Sequence, residues 1–215
     1  MIDVQNPTPI MRFIHVDNLH IYLQRGGIYA PNFDPNNGMI YKIIHNVDIQ
    51  LQRRTSRISC GPGGVIHDYV SFYFGPRSPM LYQLHTGWVE GYREGQKPLI
   101  YLVSTAQAVH SRGARFVFSD GHGIARFTDW YDNLAHLDKV DWEAVYTRTW
   151  KDTVDDMDRQ RRKQAEFLVY EFCSWSLIHE IAVIDEHMKS RVEDILELFP
   201  RRTHTRIAVR KDWYY

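Results

Sequence analysis

The stretch His67-Asp68-Tyr69-Val70-Ser71-Phe72-Tyr73-Phe74 (HDYVSFYF) alternates strictly, with Tyr69, Ser71 and Tyr73 on one side and Val70, Phe72 and Phe74 on the other. A period of two is the signature of a β-strand. This strand has an apolar face for a core and a hydroxyl-bearing face. AEFLVYEF at 165–172 reads as the second clear strand.

Working outward from the first strand, PRSPMLYQLH reads as a helix entered through Pro76 and Pro79. A strand at Leu99–Val103, a helix at 105–112 closed by Gly113 and a strand at 115–119 follow. Upstream, Gly61-Pro62-Gly63-Gly64 reads as an exposed flexible loop, and PNFDPNNG at 31–38 as turns. Before these, Leu19, Tyr22 and Leu23 recur at helical spacing between Asp17, in the capping position, and Gly26-Gly27. Residues 127–150 read as helical with a break near 138–141, and KDTVDDMDRQRRK at 151–163 as a mobile surface loop. Met188, Val192, Ile195, Leu196 and Phe199 share a helix face, and Arg206–Tyr214 reads as a last strand. Strands and short helices thus alternate in one α+β domain covering 1–215.

Composition narrows the function. The 215 residues carry 26 Lys+Arg against 26 Asp+Glu, which excludes a protein that coats nucleic acid through a basic surface but leaves room for a local basic groove. Hydrophobic residues are 44% and charged residues 24%, ordinary for a soluble globular chain able to bury roughly 70% of its unfolded surface. Aromatics at 13% serve a core and also suit contacts with flat ligands. The longest apolar run, Leu99–Val103, is far short of the ~20 residues that span a bilayer, and the N-terminus has no signal-peptide pattern, so the expected setting is cytoplasmic without membrane contact. Cys60 and Cys173 lack CxxC spacing and read as free thiols. Neither GxGxxG nor GxxxxGK[ST] occurs, and the eleven His include no HxH or HExxH, so neither a Rossmann or P-loop site nor a metal site is expected.

Among single residues, Glu166 heads the otherwise apolar face of Leu168, Tyr170 and Phe172. A buried carboxylate costs several kcal/mol unless partnered. Glu166 is therefore either functional or paired with one of Arg159, Arg161 and Arg162. His15, Asp17 and Asn18 open a helix whose N-terminus favours anions, although Asp17 reads equally as a simple cap. Arg53 and Arg54 suit a phosphate or carboxylate clamp, or a solvated face. His122, in SDGHG, reads as an exposed turn residue. Arg201, Arg202, Arg206, Arg210 and Lys211 with Trp213, Tyr214 and Tyr215 mix cations and aromatic faces as single-stranded nucleic acid requires.

Taken together, IHVDNL, IQLQRR, GGVIHDYVSFYFGPRSPMLY, LVSTAQAVH, FSDGHG, VDWEAV, KQAEFLVY and RIAVRKDWYY resemble, in this order and over nearly the whole chain, the DarT family of DNA ADP-ribosyltransferase toxins. The sequence departs from the family at Ser71, where Pro is usual, and at Ile14, where Thr is frequent; neither departure is expected to touch a catalytic group. The resemblance implies an ADP-ribosyltransferase fold, a split central β-sheet flanked by short helices that clamps NAD+ as substrate without a Rossmann motif. It implies Glu166 and Arg53 as catalytic residues, and His15, Asp17, Asn18, Tyr73 and Arg53 as contacts for NAD+. The implied acceptor is a base, commonly thymine, of single-stranded DNA, reached by His122, by Arg159, Arg161 and Arg162 of the substrate loop, and by Arg202 and Arg206. It further implies a monomer with a macrodomain antitoxin, DarG-like, as partner. The competing readings are a non-catalytic single-stranded nucleic-acid binder and a transferase of the same fold acting on RNA or protein.

Overall fold

The structure, a computed structural model, describes residues 4–200 and 205–215. In chain order its elements are β1 (Pro9–His15), α1 (Leu19–Arg25), β2 (Gly27–Tyr29), α2 (Val47–Arg53), β3 (Tyr69–Tyr73), α3 (Pro79–His85), β4 (Leu99–Thr105) and α4 (Ala106–Ser111). There follow β5 (Phe116–Ser119), β6 (Trp130–Tyr131), α5 (Trp142–Tyr146), α6 (Arg159–Lys163), β7 (Glu166–Tyr170), β8 (Phe172–Ser174), β9 (Glu180–Val183), α7 (Glu186–Glu197) and β10 (Arg206–Val209). An eight-stranded sheet has the order β10-β9-β4-β1-β3-β7-β5-β6, and β2 and β8 form a separate two-stranded ribbon. Among the described residues only the β10–β9 pairing is parallel.

The sheet is split down the middle. β1 pairs with β4 along its whole length, from Pro9↔Thr105 to His15↔Leu99. β3 likewise pairs with β7 from Tyr69↔Tyr170 to Tyr73↔Glu166. Between the two halves, β1 and β3 share the single register pair Met11↔Tyr73, so their other ends diverge. Arg12 bridges the gap, NH1 donating to the Ser71 carbonyl at 2.9 Å.

Alternation places the core as expected. Val70, Phe72 and Phe74 join Ile10, Ile14, Ile100, Leu102 and Phe167 in the main apolar cluster. The odd residues of β1 and β4, among them Met11, Phe13 and Tyr101, form a second cluster on the opposite face. Local signals set the helix ends: the Ser78, Thr105 and Asp185 side chains accept the first free N–H groups of α3, α4 and α7, and Gly26 closes α1 at φ +74°.

Five expectations are corrected. Asp17 does not cap α1; the His15 ring accepts the Asp17 N–H and caps the 3₁₀ turn Val16–Asn18 instead. The 127–150 stretch is helical only at Leu134–Lys139, as a 3₁₀ turn, and at Trp142–Tyr146, because Trp130 and Tyr131 are drawn into the sheet as β6 opposite Ser119 and Phe118. The 61–64 loop is tied down, Tyr69 donating to the Gly63 carbonyl at 2.7 Å and the Gly61 N–H to Asp132 at 3.0 Å. The last strand ends at Val209, and the chain turns so that the buried Tyr214 hydroxyl donates to the Leu99 carbonyl at 3.0 Å. Glu171, at φ +61°, breaks the second signature strand, so Phe172 leaves the Glu166 face and packs on Tyr29. Cys60 and Cys173 are free, and no described helix is long and apolar enough to cross a membrane.

Phe74 is fully buried among the rings of Phe118, Trp142 and Phe167. Phe74→Ala should destabilise the fold by about 3–5 kcal/mol in denaturant unfolding.

Candidate active site

Glu166 is the first residue of β7, opposite Tyr73, and Arg53 is the last residue of α2. Both are buried, at 2% and 8% exposure. Arg53 forks onto the carboxylate, NH1 donating to Oε1 at 2.9 Å and NH2 to Oε2 at 2.7 Å, and NH2 also donates to the Ser71 hydroxyl at 2.6 Å. Ser71, the departure from the family pattern, therefore does touch the proposed catalytic arginine. The Gly123 N–H adds a third hydrogen bond to Oε1 at 3.2 Å, and the Glu166 N–H donates to Ser119 Oγ at 3.1 Å.

Burial pushes the Glu166 carboxyl up, but the charge and hydrogen bonds of Arg53, with His122 and the Gly123 N–H, outweigh it and hold the carboxyl below its usual range. Glu166 is thus ionised at neutral pH although almost wholly out of water. The sequence left its partner open between function and an arginine of 159–162; the partner is Arg53.

The pair sits in the wall of a cavity of about 570 Å³, the size of a small-molecule site, that opens where β1 and β3 diverge. β1 contributes Arg12, Phe13 and Ile14, and β3 contributes Ser71 and Tyr73. Asn18, Tyr22 and Ile28 also line it, with Tyr41 and Lys42 of an irregular segment, Met80 and Gln83 of α3, Gln160 of α6 and Gln164 just after it. His122 lines the same cavity, so it is not the exposed turn residue expected. Burial lowers its pKa, offset in part by Glu166.

Of the residues expected to contact NAD+, Asn18, Tyr73 and Arg53 line the cavity. Asn18 ties down the segment carrying Lys42, donating to the Lys42 carbonyl at 2.9 Å and accepting its N–H at 2.8 Å. Tyr73 stacks on Phe13 at 6.0 Å. His15 lies behind the wall, 1% exposed, between the Asp17 N–H at 3.1 Å and Glu94 at 3.2 Å. Asp17 faces outward and pairs with Lys42 and Arg191.

Of the residues expected to contact DNA, Arg159, Arg161 and Arg162 belong to or flank a helical turn, not a loose loop, and each pairs with acids: Arg159 with Asp156, Arg161 with Asp120 and Asp158, Arg162 with Asp141 and Asp156. Lys163 ends the same turn buried, its Nζ donating to the carbonyls of Pro76, Val145 and Thr147. Arg206 lies on β10, at the sheet edge remote from β7, and with Arg210 pairs with Glu180. Arg202 lies outside the described residues.

Sequence reasoning gave no role to His67 and Gln50, both on the cavity and joined at 3.1 Å. The signal was present: His67 has the parity of Tyr69, Ser71 and Tyr73. Burial and the charges of Arg53 and Arg54 push its pKa down to about 4, so it is a neutral hydrogen-bonding group at pH 7. Among the described residues no three His, Cys, Asp or Glu side chains gather as a metal-ligating group.

Comparison with solved structures places this geometry. Thermus sp. 2.9 DarT in complex with ADP-ribosylated ssDNA superposes with a TM-score of 0.93 at 42% identity, over 100% of this chain and 99% of that one. The same protein in complex with NAD+ gives 0.87 at 41% identity, over 99% and 100%. The fold, with its split-sheet cleft and buried carboxylate, is that of the ADP-ribosyltransferases. The family description "ssDNA thymidine ADP-ribosyltransferase, DarT" matches residues 11–215. A DNA ADP-ribosyl transferase of Thermus sp. (strain 2.9) is 44% identical over 97% of both chains, and one from Escherichia coli O127:H6 is 32% identical over 96% of this chain and 93% of that protein. The chain belongs to the DarT family.

Two outcomes follow from the geometry. A carboxyl whose folded pKa is depressed stabilises the fold above its unfolded value, about 4.3, and that contribution is lost as pH falls through the folded pKa. Thermal melts from pH 6 downward should therefore show a steeper acid loss in the wild type than in Glu166→Gln, the difference developing below about pH 4.3. Asn18→Ala, which releases the Lys42 backbone, should raise KM for NAD+ by about tenfold in steady-state assays with a smaller change in kcat, consistent with about 1.4 kcal/mol of lost binding.

Proposed function

We propose that this chain transfers ADP-ribose from NAD+ to a thymine of single-stranded DNA, with Glu166 and Arg53 as the catalytic residues. The observation that carries this reading is the buried Glu166 carboxylate, forked by Arg53 in the cavity wall at the split of the sheet. In the transfer, the bond between the ribose anomeric carbon and the nicotinamide nitrogen breaks and a bond from that carbon to a base ring nitrogen forms. The ribose gains cationic character on the way. A fixed carboxylate in a water-poor site stabilises that charge more than it stabilises the ground state.

The ring nitrogen of thymine carries a proton and attacks well only once it is lost. The guanidinium of Arg53 stabilises the resulting anionic base, and Glu166 or a DNA phosphate takes the proton. A base still stacked in a duplex does not reach an enclosed cavity, which accounts for a single-stranded substrate. Asn18 and Tyr73 hold the NAD+ end, His15 and Asp17 support that wall from behind, and His122 stands beside Glu166 on the acceptor side. A DarG-like macrodomain that removes the mark is the partner proposed from family membership, and toxicity toward the cell is the biological role.

Purified protein given NAD+ and mixed-sequence single-stranded DNA should release nicotinamide and add ADP-ribose to the DNA, read by mass spectrometry. Glu166→Gln should lower turnover by ~10³-fold or more while the circular dichroism spectrum is kept. An unmodified oligonucleotide from active-looking, folded wild type would refute the reading. Label from NAD+ appearing instead in RNA or protein offered in the same assay would redirect it to those acceptors.

A further inference from the structure

Arg161 has the composition of a DNA contact and the surroundings of something else. Its Nε and NH2 each donate to Asp158 at 2.8 Å, and NH1 donates to Asp120 at 2.8 Å and reaches the Thr128 hydroxyl at 3.4 Å. The side chain is only 16% exposed. One guanidinium shared by two carboxylates leaves a local net charge of −1, which repels a phosphate. The donors that would have forked onto a phosphate are already committed.

What those contacts hold is the turn 119–123. The Arg161 carbonyl accepts the His122 N–H at 3.0 Å, and Thr128, itself in reach of NH1, donates its hydroxyl to the His122 carbonyl at 2.8 Å. Ser119 Oγ donates to the Gly121 carbonyl at 2.7 Å and accepts the Glu166 N–H. The guanidinium lies so closely on Gly121 that a Cβ there would collide with it. The far end of this turn is the Gly123 N–H on Glu166 Oε1, and a Cβ on Gly123 would also crowd that oxygen. The turn therefore fixes Glu166 at both its main chain and its carboxylate.

We propose that Arg161 is a positioning residue: with Asp120 it clamps the 119–123 turn so that Glu166 and His122 stand in working register, and it makes no contact with DNA. The proposal rests on the reading of Glu166 as the catalytic carboxylate. Removing the clamp leaves Glu166 paired with Arg53 but lets the Gly123 side of the site drift, and misplacement of a reacting group by about 1 Å costs on the order of a hundredfold in rate.

The test is steady-state kinetics of wild type, Arg161→Gln, Asp120→Ala and the double variant with NAD+ and a single-stranded oligonucleotide, with fluorescence anisotropy of the labelled oligonucleotide across a salt series. The expected result is a fall in kcat of about 10- to 100-fold in each single variant, the same fall in the double variant, and KM and Kd for the oligonucleotide unchanged within about threefold. A raised Kd with a salt slope reduced by about one and an unchanged kcat in Arg161→Gln would make Arg161 a phosphate contact and overturn the proposal. Normal kcat in a folded Asp120→Ala overturns it as well, and this variant decides the matter if Arg161→Gln proves unstable in thermal melts. A folded wild type without turnover removes the catalytic reading and this inference with it, whereas an active wild type with a purely DNA-binding defect in the variants removes this inference alone.

Discussion

The fork of Arg53 onto Glu166 joins two parts of the chain 113 residues apart and does so almost without water. Neither ion is tolerable there alone, since an unpaired buried charge costs several kcal/mol. The pair thereby fixes the end of α2 against the start of β7, on the β3 side of the split. Ser71 and Gly123 complete the hydrogen bonding, so the acceptor oxygens and guanidinium donors are held in one geometry before any ligand arrives. Such preorganisation is what stabilisation of a developing charge requires, because the site has no reorganisation to undergo at the moment of reaction.

The split has a sequence origin and a spatial consequence. β1, apolar on both faces except at Arg12 and His15, satisfies its backbone on β4, while β3 satisfies its own on β7; the single β1–β3 register pair is what remains. Backbone groups at a diverging edge must find other partners. Arg12 supplies one by donating to the Ser71 carbonyl, and the cavity opens beside it. A glycine-rich phosphate loop has no place in this arrangement, which accords with a chain containing no such motif.

Much of the architecture was legible because it is local. Alternation gave β3 and assigned Val70, Phe72 and Phe74 to the core, the apolar run at 165–172 gave β7, and Gly26, Pro79 and Gly113 marked ends of α1, α3 and α4, whereas α2 and α6 were not read as helices. What failed did so for tertiary reasons. Trp130 and Tyr131 sit in a stretch with helical periodicity but gain more by pairing with β5, and the left-handed Glu171 ends a run whose side chains alone read as continuous. The 151–163 segment reads as a charged loop because its acids and bases look solvated in sequence, whereas in the fold they neutralise one another and stitch α6 to neighbouring turns.

The sequence by itself determined the strand that carries Glu166, the hydroxyl-bearing face of the 67–74 strand, the absence of a Rossmann or P-loop motif, and the family, since each is written in residue order over short spans. Which arginine meets Glu166 was decided only in three dimensions. Arg159, Arg161 and Arg162 are nearer along the chain, yet Asp120, Asp141, Asp156 and Asp158 claim them, and the guanidinium that reaches the carboxylate comes from α2. Charge pairing depends on distances through space, and sequence separation does not set those distances once a sheet of long-range pairings has formed.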